Sequence, residues 1–540
     1  MQILEGLKGK QPNREKAEAL AHAQEEAPEF ERVKWTSDPG LRALYWHCFV
    51  LLVSSASTGY DGMMFGAIQN FDSWKNFFGH PTAARLGLLG ACYQIGSVCS
   101  IPFVPMIADR WGRKPALAFG FVVMTIGGVI QGAAQNWGTF VGGRVLLGFG
   151  NSFAQMPSPM LISELAHPQH RARLTTVYNC LWNVGAIISG WTCFGTNFWG
   201  SNWAWRFPSI LQGVPSFLQL LALYWIPESP RFLIAKDRFD EALNVLAKYH
   251  TNGNTDHPTV QFEYQEIRDT IKLEQAAKKS SSYLDFFRTK GNRYRLAIIV
   301  SMGFFSQWSG NAIVSNYSAI LYGNVGISSS LERLGISAGQ FTLGAIVSIT
   351  CALMVDRFGR RPTWLISTGG MLVCLVLWTV CYGIFEQHGA SKATTAVIFF
   401  IWLHGFFYSI AWSGLLIGYA IEILPYTLRA KGMMLVNLCI NGSLAVNQQL
   451  NPIAFDHWEG ETWKLYTIYC CWVLFEFCFI YFFYIETKGP TLEEIAKVFD
   501  GPDAKVANID LGKVEHEFEL QHEHDEKNAQ RNSTTEVNRT

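Results

Sequence analysis

The sequence predicts an all-α membrane protein, with twelve transmembrane helices in two pseudo-symmetric six-helix bundles. Three observations carry this prediction. Of the 540 residues, 49% are hydrophobic and only 16% are charged, where a soluble chain averages about 25% charged. The apolar residues fall into long runs, and the charges gather in the two tails, one long central loop and the short loops between runs. Finally, the stretch Asp109-Arg110-Trp111-Gly112-Arg113-Lys114-Pro115 returns as Asp356-Arg357-Phe358-Gly359-Arg360-Arg361-Pro362, each copy lying between two apolar runs.

The repeat extends beyond this motif. Glu164 stands before Arg171 at the same spacing as Glu422 before Arg429, and the differences 422 − 164 and 486 − 228 both equal 258. Glu228 belongs to Pro227-Glu228-Ser229-Pro230-Arg231, and Glu486 to Ile485-Glu486-Thr487-Lys488-Gly489. A common offset in otherwise different sequence marks two structural repeats.

A helix needs about 20 mainly apolar residues to cross a bilayer. Twelve segments qualify, near 45–68, 86–107, 116–135, 139–162, 174–195, 208–226, 295–322, 337–354, 363–385, 395–421, 433–455 and 464–484. The loops at one end carry Arg110, Arg113, Lys114, Arg171, Arg173, Arg357, Arg360, Arg361, Arg429 and Lys431. The loops at the other end carry few cations, mainly Lys75, Arg85, Arg206, Arg333 and Lys392. The positive-inside rule places the cation-rich end in the cytoplasm, and an even number of crossings brings both termini there.

The expected division is a cytosolic tail over 1–44, a first bundle over 45–226, a cytosolic linker over 227–294, a second bundle over 295–485 and a cytosolic tail over 486–540. Within the linker, 239–249 and 260–277 set apolar residues at helical spacing among charges, the pattern of amphipathic helices lying under a bundle. The last 40 residues lack such periodicity and read as disordered. There His516, His522 and His524 alternate with Glu517, Glu519, Glu523 and Asp525, which favours a solvated tail over a metal site.

Composition excludes several classes. The formal net charge is zero, which gives no reason to expect a nucleic acid partner. The 12 cysteines lie in apolar segments at neither metal-like nor disulfide-framework spacing, and read as small core residues. The first 40 residues are polar and charged, so no cleavable signal peptide is expected and the first span serves for insertion. No nucleotide loop, metal cluster or nucleophile constellation is visible, so neither an enzyme nor a cofactor is expected.

Asp61, in Gly59-Tyr60-Asp61-Gly62, falls inside the first span, where an unpaired carboxylate costs about 2.5–3.5 kcal/mol on insertion scales. Arg144, at the start of the fourth span, is its natural partner. Paired, the carboxylate stays ionised; protonated, it releases the arginine, so its charge can bias two conformations. Asp61 and Arg144 are therefore the candidate proton-coupling residues, with the proton as coupling ion. The alternative is a permanent structural ion pair.

Taken together, the two halves, the two DRxGR(R/K) loops, the Glu-x6-Arg pairs, PESPR and ETKG resemble the sugar-porter family of the major facilitator superfamily, over residues 45–500. The wording at 164–171, 178–182, 306–311 and 486–494 is similar to that of fungal lactose-permease and cellodextrin transporters. The resemblance implies the major facilitator fold and alternating access, in which the halves rock about a sugar site at the bilayer midplane. It sets Asp61 opposite Arg144. It also implies a cytoplasmic gate, formed by Asp109, Arg113, Glu164, Arg171 and Glu228 in one half and Asp356, Arg360, Glu422, Arg429 and Glu486 in the other. These ion pairs would close the cytoplasmic face in the outward-open state and break on inward opening. The plainer reading is that they set topology and stabilise loops.

Sugar sites use amides, which donate to and accept from paired hydroxyls, and aromatic faces, which cover a pyranose ring. The candidates are Gln94, Asn179, Gln307, Asn311, Trp308, Trp412 and Asn441. An amide at such depth also serves as an interhelical hydrogen bond, worth about 0.6 kcal/mol, and a buried tryptophan also serves plain packing. Against the family pattern, Gln307 matches the second glutamine of helix seven and Asn179 replaces the glutamine of helix five. Ser306 replaces the first glutamine, and Ile417 and Asn441 stand where tryptophans are expected. These exchanges remove side-chain volume and predict a wider pocket. The reading is a plasma-membrane importer of β-linked disaccharides or short oligosaccharides, such as cellobiose, lactose and cellodextrins, working as a monomer with the sugar and the lipid bilayer as its partners. The alternatives are a facilitator of the same sugars or of hexoses, and a sugar sensor.

Overall fold

The computed structural model describes residues 38–280, 282–388, 391–488 and 499. The expectations for the first 37 residues, and for the tail with its histidines, lie outside the described residues. Those described fold as helices and connections.

The first half begins with α1 (Pro39–Ile68), which Asp38 caps by accepting from the Leu41 N–H at 3.1 Å, with Pro39 preset in the first turn. A short α2 (Asp72–Phe77) leads into α3 (Ala83–Ser100) and α4 (Phe103–Trp111), which bend by 42° at a break that contains Pro102. Next come α5 (Arg113–Gly132), α6 (Trp137–Gln155), α7 (Pro157–Leu165), α8 (Pro168–Thr196), α9 (Trp203–Leu211) and α10 (Gly213–Ala222). The linker forms α11 (Pro230–Ala235), α12 (Phe239–His250), α13 (Pro258–Ser280) and α14 (Asp285–Arg288). The second half contains α15 (Lys290–Trp308), α16 (Asn311–Asn316), α17 (Ser318–Asn324), α18 (Ser330–Phe358), α19 (Arg360–His388), α20 (Ser391–Ala411), α21 (Leu415–Ile423), α22 (Tyr426–His457) and α23 (Trp463–Phe483).

Several spans expected as single helices are divided. The 139–162 segment breaks between α6 and α7 at Met156-Pro157, where proline supplies no N–H to continue the ladder. The 208–226 segment breaks at Gln212-Gly213, the 295–322 segment at Ser309-Gly310, and the 395–421 segment at Trp412–Gly414. By length and hydropathy, five helices can cross a membrane singly: α5, residues 330–351 of α18, α19, the 393–423 stretch of α20 and α21, and α23. The bent α3–α4 pair makes a sixth. The remaining crossings contain breaks or buried polar residues such as Asp61 and Arg144.

The cores show how the halves meet. At the end opposite the repeated cation-rich motif, one cluster runs continuously through both halves, from Tyr60, Phe65 and Trp74 to Tyr317, Trp378 and Tyr466. At the motif end the cores are separate, one around Leu51, Phe121 and Leu161 and the other around Phe305, Trp364 and Tyr419. The halves are thus joined at the far end. Gly66 permits this approach, because a Cβ there would lie 2.3 Å from the Ser315 carbonyl oxygen. Beside it the Gln69 side-chain amide donates to the Asn316 carbonyl at 2.8 Å, and Phe65 meets the Tyr317 ring edge-on at 5.9 Å.

Candidate functional site

Asp61 and Arg144 are both buried, 1% and 3% exposed, in the far part of the first half. They share a site without forming a direct ion pair within 4 Å. Tyr93 of α3 stands between them. Its hydroxyl donates towards Asp61 Oδ2 at 3.5 Å, and its ring lies 5.1 Å from the Arg144 guanidinium carbon. Phe65 lies on another side of the guanidinium at 4.9 Å. Asp61 Oδ1 and Arg144 Nε and Nη1 have no hydrogen-bond partner. The face-to-face carboxylate and guanidinium expected from the sequence are therefore corrected to an acid and a base bridged by a tyrosine. The arginine is held largely by aromatic faces, which attract a desolvated cation.

The repeated loops are built as helix caps. Gly112 turns the chain at φ +111° just before α5, and the Glu228 oxygens then accept from the backbone N–H groups of Arg113 and Lys114, both at 3.2 Å. Gly359 turns at φ +87°, and Glu486 accepts from Arg360 at 2.9 Å and Arg361 at 3.0 Å. A first-turn N–H has no helical partner, and a carboxylate there also suits the helix dipole. In PESPR, Ser229 then caps α11 by accepting from Phe232, with Pro230 at its first position. Burial pushes the Glu228 carboxyl above the ordinary glutamate range, against the opposing pull of the Ser229, Lys114 and Arg113 N–H groups.

The side chains of the same motif pair within their own halves. Arg113 donates to both oxygens of Glu164, at 3.2 and 3.1 Å, and lies 3.7 Å from Asp109. Arg360 donates to Glu422 Oε1 at 3.3 and 3.0 Å, and Thr487 donates to the other oxygen. Both pairs are formed while the halves are joined at the far end, so neither depends on the halves meeting at the motif end. The side chains of Arg171 and Asp356 lie outside the described residues, and Arg429 is half-buried near the start of α22.

The substrate candidates separate into groups. Gln307 and Asn311 flank the α15–α16 break, half-buried, with Gln307 Nε2 donating to Ser306 Oγ at 3.1 Å. Gln94 is buried in α3, and the Asn179 side chain lies outside the described residues. Trp308 donates its indole N–H to the Ser443 carbonyl at 3.0 Å, and Asn441 donates to the Asn437 carbonyl at 2.9 Å, so both groups are engaged within the second half. Trp412 is a correction. It is 3% exposed and packs edge-on against Trp364 at 4.5 Å inside the second core, which leaves no face for a sugar ring. A cavity of about 140 Å³ lies elsewhere, at the far end between Gln69, Trp74, Leu86 and Ile320.

Sequence reasoning missed Tyr93, because one tyrosine in an apolar span is ordinary core. It also missed the linker contact in which His250 Nδ1 meets Glu263 at 2.7 Å and Nε2 meets the Leu165 carbonyl at 3.1 Å, which ties α12 and α13 to the end of α7. Their burial could be read only after folding.

Two six-crossing halves, repeated capped loops and a buried acid–base pair define a membrane carrier. The chain belongs to the family described as "Sugar (and other) transporter", whose profile matches residues 47–499. It is similar to a high-affinity glucose transporter of Kluyveromyces lactis, 27% identical, with 87% of this chain and 88% of that one covered. It is also similar to a probable quinate permease of Aspergillus niger, 28% identical, covering 84% and 88%. Among solved structures, the partially occluded inward-open form of the xylose transporter XylE from E. coli aligns with a TM-score of 0.69 at 20% identity, over 83% of this chain and all of that one. The proton:xylose symporter XylE bound to 6-bromo-6-deoxy-D-glucose aligns at 0.66 and 21%, over 85% and 99%. The protein is a multi-pass transporter of the major facilitator fold, not an enzyme.

Proposed function

We propose that the protein imports β-linked disaccharides or short oligosaccharides, such as cellobiose, lactose and cellodextrins, across the plasma membrane as a monomeric proton symporter, with both termini cytoplasmic. The observation that carries the coupling is the Asp61–Tyr93–Arg144 arrangement, a buried carboxyl close enough to a cation to respond to it and too far to be locked by it. With the cation-rich end in the cytoplasm, the continuous far core closes the outside, so this is the inward-facing arrangement. Protonation of Asp61 loosens its hold on Arg144, and the Arg144–Phe65–Tyr317 contacts pass that change to the α16 segment beside Asn311. In the opposite state the two sets of motif loops approach and close the cytoplasmic face. The Arg113–Glu164 and Arg360–Glu422 pairs, already formed inside each half in the inward-facing arrangement, hold the loops that meet there and do not themselves break on inward opening.

The larger substrate is supported by the lost side-chain volume at Ser306, Ile417 and Asn441. A second reading, carriage of a hexose, is favoured by the glucose and hexose transporters among the relatives. Uptake of labelled cellobiose and glucose by yeast lacking β-glucoside carriers, at acid and neutral pH and with a protonophore, separates the possibilities. Concentrative cellobiose uptake that collapses with the protonophore and with Asp61→Asn supports the proposal. Uptake that only equilibrates makes the protein a facilitator, and glucose uptake without cellobiose uptake selects the second reading.

A further inference from the structure

One buried charge-bearing residue has no part in the scheme above. Glu476 lies in α23, flanked by Phe475 and Phe477, and is fully buried. Neither carboxyl oxygen has a hydrogen-bond partner. Among the described residues no lysine, arginine or histidine forms an ion pair with it. The Trp472 N–H, one helical turn back, approaches the carboxyl without completing a hydrogen bond.

Among the described residues, the titratable groups that face it are three tyrosines, and their hydroxyls are engaged elsewhere. Tyr408 of α20 donates to the Ser306 carbonyl at 3.0 Å, Tyr469 of α23 donates to Asn451 Oδ1 at 2.7 Å, and Tyr484 pairs with Ser301 of α15 at 3.3 Å. On the side of α19, which packs on α23 with Gly369 facing the Phe477 ring, the buried residues Thr368, Met371 and Cys374 carry no charge. An ionised carboxylate here is shut off from bulk solvent and has no cation and only the incompletely placed Trp472 N–H to stabilise it, whereas the neutral acid is tolerated. A carboxyl with no partner also adds nothing to packing that leucine or methionine would not supply, and an ionisable group kept inside a span points to function.

We propose that Glu476 is a second proton-binding site, in the half opposite Asp61, which holds a proton drawn from the aqueous phase in this conformation and whose occupancy is linked to sugar binding. The link runs through α15 and the break that follows it. Trp472 packs on Trp308 at 5.7 Å, beside Gln307, and Tyr408 fixes the carbonyl of Ser306. A shift of the Ser309-Gly310 break on sugar binding therefore alters the surroundings of Glu476. This link rests on the sugar-transport reading; the protonation of Glu476 does not.

Two measurements on the purified full chain test the parts separately. Infrared spectra at neutral pH without sugar should show a protonated-carboxyl C=O band that is lost in both Glu476→Gln and Glu476→Met. Unchanged bands in the variants would overturn the proton site whatever the protein carries, and the methionine form covers the case in which the amide variant fails to fold. Cellobiose and glucose affinity, read by tryptophan fluorescence across pH, should stay pH-dependent in Asp61→Asn and become flat in Asp61→Asn/Glu476→Gln. If the pH dependence of Asp61→Asn survives unchanged in the double variant, or is already absent in Asp61→Asn, the link to sugar is wrong. If the parent protein binds neither sugar, the transport reading and the link fall together while the infrared result still decides the proton site.

Discussion

Tyr93 directs its hydroxyl at Asp61 Oδ2 from 3.5 Å, while its ring lies 5.1 Å from the Arg144 guanidinium carbon. One residue thus serves both charges, the acid through its O–H and the base through its ring face. Tyr93→Phe removes the first contact and keeps the second. A net hydrogen bond is worth about 1 kcal/mol, or roughly fivefold in an equilibrium. Acid-stimulated uptake in this variant should fall roughly fivefold, with counterflow little changed, whereas Asp61→Asn should lose concentrative uptake altogether. Identical pH profiles for Tyr93→Phe and the parent would remove the tyrosine from the coupling scheme.

The motif glycines are tested by adding a single methyl group. At Gly112 a Cβ would lie 2.5 Å from Glu228 Oε2, at a φ of +111° that side chains rarely adopt. Gly112→Ala should therefore displace the carboxylate that caps α5 and store strain of about 1–3 kcal/mol. At Gly359 the corresponding distance is 2.9 Å and φ is +87°, so Gly359→Ala should behave alike but more mildly. Thermal melting of the detergent-solubilised protein, followed by size exclusion, reads the loss. Unchanged melting in both variants would sink the capping account of the repeat.

The two halves were legible in the sequence because the repeat is carried by backbone chemistry. A glycine at a positive φ, a cation at the first helical position and a carboxylate over a hundred residues away must recur wherever that turn recurs. The divided spans were less legible, since a glycine or proline in an apolar run announces a break only if its neighbours pack around it, as His404 does beside Gly310, with its Nε2 3.1 Å from the Ser309 carbonyl. The site was legible in its charges and not in its aromatics. Asp61 and Arg144 stand out in any apolar run, but Tyr93 differs from other span tyrosines only by its position. Trp412 shows the converse, because nothing in the sequence says that Trp364 covers its face.

Stability should respond to pH through Glu228. Its carboxyl is raised above the ordinary range by burial, so the folded protein binds this proton more tightly than the unfolded chain. The contribution is complete below the unfolded glutamate value of about 4.3 and is lost as pH rises through the folded value. Melting temperatures of the parent should fall, relative to Glu228→Gln, as pH increases over that window. Parallel curves for the two proteins would show that this carboxyl does not titrate differently on folding.

The two ion pairs at the motif end differ in a way that predicts an order. Arg113 and Glu164 have side chains 12% and 7% exposed, against 17% and 28% for Arg360 and Glu422. Removing one partner of a buried pair strands the other charge, at about 3–5 kcal/mol, while an exposed pair contributes about 0–1 kcal/mol. Glu422 in addition keeps an acceptor role towards Thr487, which a glutamine can partly retain. Glu164→Gln should therefore lower stability more than Glu422→Gln, by roughly 2 kcal/mol. Adding Arg113→Met to Glu164→Gln should restore part of the loss, because without Glu164 the largely buried Arg113 is balanced mainly by the half-exposed Asp109 at 3.7 Å. Urea or thermal unfolding in detergent gives the double-mutant cycle. Equal losses in both halves, or no recovery in the double variant, would mean that these pairs are held by solvent rather than by burial.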